Sequence, residues 1–342
     1  MRYPADREVI ARAEGRMRRR DIITLLGGAV AAWPLAARAQ QSEMPLVGFL
    51  NSSSPDPLLG RAAAFRQGLN DVGFIDRNNI SIIFRWAEFQ EYQLSRLAAD
   101  LVRQRVAVIA ATGSTATALA AKRATSAIPI VFEIGGDPIT SGLVDNLDRP
   151  GGNLTGVTFS AAVVGQNQVS LVRDLVPKAA TVAVFVNPSN PNSGAQARID
   201  AAARAIGMRT LVVNVSPEIG FEEAFAKLNQ QHADALLISN DPFFLEWRAK
   251  IISLAEHYAM PTVYSSRIYA ASGGLVSYGG SITESYQLVG NYVGRILKGE
   301  KPGDLPVVNL TKFKLVINQT TARALNLNVP SAVLARADEV IE

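Results

Sequence analysis

The 342-residue chain contains no cysteine. That absence excludes a disulfide framework, a thiol nucleophile and a lipid anchor of the kind attached to a cysteine just after an export cleavage site. Histidine is nearly absent too: His232 and His257 both fall in helical patterns, with no Asp or Ser partner in a recognisable arrangement. No GxSxG elbow, HExxH pair or Gly-rich phosphate loop occurs, and no residues cluster at metal-ligand spacing. The sequence therefore predicts no catalytic residue, no metal and no cofactor. No apolar run reaches the roughly 20 residues of a membrane span. No Lys/Arg run follows residue 20, so the basic face wanted by a nucleic-acid partner is not expected.

The N-terminal segment is more informative. Arg18, Arg19 and Arg20 precede an apolar stretch from Ile22 to Leu35, Pro34 breaks it, and Ala37-Arg38-Ala39 offers a small-x-small cleavage pattern. This reads as an export signal over Met17 to Ala39, through the general secretory or the twin-arginine route. Residues 1–16 resemble an over-long translation start, with Met17 the expected initiator. The segment up to Ala39 holds eight of the 34 basic and four of the 30 acidic residues, so the rest carries 26 of each. The net charge of +4 thus belongs to the leader. The cleaved product is expected to be near neutral and soluble in the periplasm, with no stable membrane insertion.

The 303 residues after Ala39 exceed what one core usually supports, which predicts two lobes. Strand and helix patterns alternate as a parallel doubly wound sheet requires. Strands are predicted at 46–50, 80–86, 106–111 and 130–134, with helices at 58–72, 92–103 and 114–125 between them. After the turn-rich 148–153 segment the alternation resumes. Strands are predicted at 181–186, 210–215, 235–239 and 262–265, with helices at 193–206, 221–231 and 244–257. The segment 273–280, a helix over 283–297 and the segment 314–317 are expected to supply the remaining crossings.

In open parallel sheets ligands bind beyond the carboxyl ends of the strands, and here those loops are small and polar. Asn51 and Ser52 follow the first strand. Thr112, Gly113, Ser114 and Thr115 lead directly into a helix, where hydroxyls and free N–H groups make an anion site suited to a carboxylate. Ser114 or Thr115 equally fits as a plain helix cap. Gly136 and Asp137 follow the fourth strand. Asn187 and Asn190, then Asp241 and Phe243, occupy the matching loops of the second half. Asp137 and Asp241 each precede a proline; such an acid either accepts hydrogen bonds from a ligand ammonium or starts a turn. Phe243, Phe244, Trp247 and Tyr278 are candidates for stacking on an organic ligand. The helical spacing of Phe244 and Trp247 suits a core just as well.

Several segments carry a family resemblance: Gly48-Phe49-Leu50-Asn51-Ser52, Phe65-Arg66-Gln67-Gly68-Leu69, Arg85-Trp86-Ala87-Glu88, Ala111-Thr112-Gly113-Ser114 and Ile128-Pro129-Ile130-Val131-Phe132. Gly135-Gly136-Asp137-Pro138, Arg149 to Gly156, Asp241-Pro242-Phe243-Phe244, Gly273 to Gly279 and the tail Ala335 to Ile341 continue it. With these the chain resembles the ABC transporter substrate-binding proteins of the tryptophan/tyrosine-binding-like group, of the type I periplasmic binding protein fold. The resemblance implies two doubly wound parallel-sheet lobes joined by a three-segment hinge. Lobe 1 would span 45–157 with part of 280–313, and lobe 2 would span 158–279 with part of 314–342. It implies hinge closure around a small amino-acid-like or carboxylate-bearing solute, and it adds Thr158 and the loop around Tyr278 to the contacts. The expected partners are that solute and, transiently, an inner-membrane ABC permease. A periplasmic sensor subunit of the same fold is a second reading, separable by genomic neighbours. An isomerase or lyase on a two-lobe scaffold is a third, opposed by the missing thiols and acid–base pairs.

Overall fold

A computed structural model describes residues 44–55, 60–159, 161–188, 193–216 and 220–342. The export signal expected over Met17–Ala39 lies outside these residues, as does Asn190. From Pro45 onward the chain forms two α/β lobes, each built on one sheet.

The first sheet has six strands in the order β11-β5-β4-β3-β1-β2, all parallel. Its strands are β1 (Leu46–Asn51), β2 (Ser81–Trp86), β3 (Val108–Thr112), β4 (Ile130–Ile134), β5 (Leu154–Phe159) and β11 (Val308–Leu310). Strands β3 and β4 are buried along their whole length, so they read as apolar runs without alternation, broken only by Thr112 at the end of β3 and Glu133 in β4, as strands covered on both faces do. Helices α2 (Leu94–Arg103) and α3 (Thr115–Ala124) cover one face, and α1 (Arg61–Asn70) and α10 (Ile282–Leu297) the other. Leu94, Leu97, Ala98 and Leu101 give α2 its buried stripe at helical spacing.

The second sheet has seven strands in the order β13-β12-β10-β9-β8-β6-β7. These are β6 (Thr181–Val186), β7 (Arg209–Asn214), β8 (Ala235–Ile238), β9 (Thr262–Tyr264), β10 (Val276–Gly280), β12 (Phe313–Asn318) and β13 (Glu339–Ile341). One face packs α4 (Ala161–Leu175) and α5 (Ser193–Ala205), with α11 (Gln319–Ala324) and α12 (Ser331–Leu334) near its edge. The other packs α6 (Phe221–Gln230), α7 (Pro242–Glu246), α8 (Arg248–His257) and α9 (Arg267–Ala271).

Two of the differences from the sequence expectation lie in the sheet order and the helices of this lobe. Strand β12 runs antiparallel to β10, because the chain re-enters this lobe directly from β11 without a covering helix between them. The single helix expected over 244–257 is two, α7 and α8. It begins earlier, at Pro242, because Asp241 caps it and Pro242 occupies its first position.

Three connections join the lobes: β5 to α4, β10 to α10, and β11 to β12. At the second, Ser281 Oγ accepts from Glu284 N (3.2 Å), a Ser-x-x-Glu start that fixes where α10 begins. Ile282 beside it packs against both a lobe 1 cluster and a lobe 2 cluster.

Candidate functional site

Both sheets share the central order 2-1-3-4-5, whose switch point lies between the first and third strands. In lobe 1 that point separates the ends of β1 and β3, and Asn51 bridges it. Its Nδ2 donates to Thr112 Oγ1 (2.8 Å) and to Tyr286 Oη of α10 (2.8 Å). Its Oδ1 accepts from Ser53 N (2.8 Å) and Ser53 Oγ (2.6 Å). Two donors and two lone pairs exhaust a carboxamide, so Asn51 holds the site together and has no group left for a ligand. In lobe 2 the equivalent bridge runs from Asn187 Nδ2 to Asp241 Oδ2 (3.2 Å).

Between the lobes, at the lobe 1 switch point, lies a pocket. Arg61, Gly113, Ser114, Thr115, Glu133, Gly135, Ile282 and Tyr286 reach it from lobe 1, Asn240, Pro242 and Leu245 from lobe 2, and Phe159 from the first connection. Gly113 adopts φ +94, and a Cβ there would lie 2.8 Å from Ser52 Oγ and 2.9 Å from Asn51 Oδ1. Only glycine combines that backbone with that closeness. Ser114 caps α3, accepting from Thr117 N (3.2 Å). The capping and pocket-lining roles of this loop therefore coincide. The Ser52 hydroxyl beside it is buried and has no hydrogen-bond partner among the described residues.

Two charged residues sit in this wall that loop reasoning missed. Glu133 stands inside β4 and is 6% exposed; its Oε2 accepts from Gly113 N (3.0 Å). Burial pushes its carboxyl above the ordinary range, while the Gly113 N–H and the charge of Arg61 pull it back. Arg61 opens α1 and is 5% exposed; its Nη1 donates to Ser53 Oγ (2.7 Å). The signal was there, a lone acid in the apolar run Ile130-Val131-Phe132-Glu133-Ile134, since buried charges are rare without a purpose. Apolar contributors Phe159, Leu245 and Ile282 carried no comparable signal.

Of the residues proposed from sequence, Gly113, Ser114 and Thr115 line the pocket, and Asn51, Ser52 and Thr112 stand behind it. Thr158 donates to Gly136 O (2.8 Å), so these two brace one another beneath Gly135. Asp137 is exposed and its Oδ1 accepts from Ile139 N (2.9 Å), which is the turn-forming role. Asp241 is the cap of α7, accepting from Phe243 N (2.7 Å) as well as from Asn187. Phe243 belongs to the lobe 2 core, stacked on Phe221 with centroids 5.7 Å apart, and not to the pocket wall. Tyr278 accepts from Asn167 Nδ2 (2.9 Å) and packs near Phe313. Phe244 is fully buried, whereas Trp247 is 49% exposed.

The lobes touch around this pocket. Ser54 Oγ donates to Glu246 Oε2 (3.4 Å), and Phe89 of lobe 1 packs against the lobe 2 cluster around α6–α8. Phe159 ends β5 in register with Leu310 of β11. A Cβ on Gly135 would lie 3.2 Å from its ring and one on Gly280 3.9 Å. One aromatic side chain therefore lies beside all three connections and the pocket. Among the described residues no group of three or more His, Asp or Glu could hold a metal ion, and no helix is long and apolar enough to cross a membrane.

Comparison with known proteins agrees with this architecture. The chain is 28% identical over 278 residues to a tyrosine-binding protein of Clostridioides difficile, covering 81% of this chain and 79% of that one. An ABC domain from Streptococcus pneumonia solved in complex with L-Trp is 26% identical, with a TM-score of 0.79 over 87% of this chain and 100% of that one. A conserved domain protein from Vibrio cholerae shares the fold at a TM-score of 0.81 and 24% identity, over 87% of this chain and all of that one. Residues 49–341 match the family described as ABC transporter substrate binding protein. The chain belongs to that family of solute-binding proteins, which are not enzymes.

Proposed function

We propose that the protein is the exported, periplasmic component of an ABC importer. It captures a small amino-acid-like or carboxylate-bearing solute between its lobes and presents it to an inner-membrane permease. The observation that carries this reading is a pocket walled by both lobes, with a buried arginine and a hydroxyl-rich helix start on one side and apolar side chains on the other. Relatives whose descriptions name tyrosine and L-Trp support the amino-acid class. Gly113, Ser114 and Thr115 are the proposed ligand contacts of the sequence reading that reach this pocket, joined by Arg61, Glu133, Asn240 and Tyr286.

Closure follows from differential contact. Asn240, Pro242 and Leu245 meet a ligand held by lobe 1 only when the lobes are together, so binding shifts the open–closed population toward closed. The test is mass spectrometry of whatever co-purifies, a thermal-shift screen of amino acids and small aromatic acids, and solution scattering with and without the best ligand. A ligand that raises Tm and shrinks the scattering radius is the expected result. Tight binding at an unchanged radius defeats the hinge, and a screen in which only sugars or bases bind defeats the solute class.

A further inference from the structure

Arg61 and Glu133 are opposite charges buried in one cavity wall, both supplied by lobe 1. Burying either ion alone is strongly unfavourable, and burial is tolerated where partners satisfy it. Protein groups meet only part of that need. A guanidinium has five N–H donors, and among the described residues that of Arg61 has one acceptor, Ser53 Oγ. A carboxylate offers about four acceptor sites, and that of Glu133 receives one N–H, from Gly113. Both line the pocket, so a solute that enters it can meet capacity that these bonds leave over. Ser114 and Thr115 open α3 on the same wall, adding the positive end of a helix to the guanidinium side.

Resting on the proposed solute class, we infer that Arg61 and Glu133 form a clamp for a zwitterion. The solute carboxylate meets Arg61 and the Ser114–Thr115 helix start; the solute ammonium meets Glu133. Asp241, the ammonium partner suggested by sequence, is instead engaged by Phe243 N and Asn187. The clamp lies wholly in lobe 1, so an α-amino acid is anchored by its charges in the open form. Its side chain points to Phe159, Ile282 and Leu245, the last from lobe 2. Charge selects the class of solute, and the apolar wall selects among amino acids during closure. A bare carboxylate leaves Glu133 unpaired in the closed pocket, and a bare amine leaves Arg61 unpaired.

Isothermal titration settles this with the amino acid that raises Tm most, together with its decarboxylated amine and its deaminated acid. The wild type is expected to bind the amino acid at least about tenfold more tightly than either analogue, the scale of one lost charge-assisted hydrogen bond. Glu133→Gln should bring the deaminated acid to within about threefold of the amino acid, and Arg61→Gln should do the same for the amine. A wild type that binds the deaminated acid as well as the amino acid overturns the clamp without needing a folded variant. So do folded variants that keep the wild-type preference. A wild type that binds no amino acid overturns the solute class as well, which separates the two failures.

Discussion

Asn51 Nδ2 donates to Thr112 Oγ1 at 2.8 Å across the gap where the chain order of the first sheet reverses. The same carboxamide reaches Tyr286 on α10 and returns to Ser53, the acceptor of Arg61. Removing it takes one hydrogen bond each from the buried Thr112 Oγ1, Tyr286 Oη, Ser53 N and Ser53 Oγ. Asn51→Ala is expected to destabilise the protein by about 2–4 kcal/mol, read as a lower urea midpoint at unchanged m-value. A loss under about 0.5 kcal/mol, the range of ordinary surface changes, contradicts the role.

Helices α1 and α10 meet through glycine. A Cβ on Gly68 would lie 1.8 Å from Gln287 O, and one on Gly290 2.1 Å from Phe65 O. Both neighbours are backbone, so neither can swing aside. Gly68→Ala or Gly290→Ala should cost about 1–3 kcal/mol through helix separation. Ligand affinity should fall as well, because Arg61 and Tyr286 ride on these two helices. Thermal denaturation and titration calorimetry of each variant check both effects.

Glu91 of lobe 1 lies within the field of Asp241 of lobe 2. Burial, then the charge of Asp241, pushes its carboxyl up to about 7. The Asp241 contribution depends on the lobes being together, so the proposed hinge opening moves the carboxyl back toward the ordinary 4.5. The closed form therefore binds more protons between these values, and it is disfavoured as pH rises from about 5 toward 8. Ligand affinity should weaken over that range by less than about tenfold, and Glu91→Gln should flatten the dependence. A pH profile identical in wild type and variant removes Glu91 from the closure equilibrium.

Glu88 and Phe89 stand consecutively in the left-handed region, at φ 51 and 62. That conformation is rare for a bulky side chain. The loop is pinned to lobe 1 by Ala87 N to Asn51 O (2.8 Å) and Phe89 N to Ser52 O (2.8 Å), while the Phe89 ring packs on the lobe 2 cluster. Phe89→Gly removes that strain together with the inter-lobe contact. We expect a larger ligand-free radius in solution scattering and about tenfold weaker binding. Wild-type values of both would mean the ring contributes nothing to closure.

Much of this fold is legible in the chain, because parallel strands covered on both faces announce themselves as short apolar runs. Strands β4 and β6 fall where those runs predict, and Ser114 begins α3 as cap chemistry requires. Helix α4 was not legible: Gly165 and the paired Val163–Val164 obscure its start. That glycine is closely packed, since a Cβ there would lie 2.6 Å from the Ile199 side chain on α5, which would have to shift. The site was half visible. Polar loops at strand ends follow from sheet topology, and Gly113 to Thr115 were found that way. Arg61 and Glu133 were not, because they sit within regular elements, and only the tertiary fold brings them to the same wall. For Asp137 and Asp241 the sequence left a turn role and a ligand role open, and the structure displays the turn and cap bonds.

The second connection sets a schedule for biosynthesis. Val289, Tyr292 and Val293 of α10 complete the apolar layer that Phe49, Phe65 and Val131 begin, more than 150 residues earlier in the chain. A nascent polypeptide that has reached Gly280 holds five strands of the first sheet but only one of its two helical coverings whole. The N-terminal lobe cannot finish folding until the last quarter of the message has been translated.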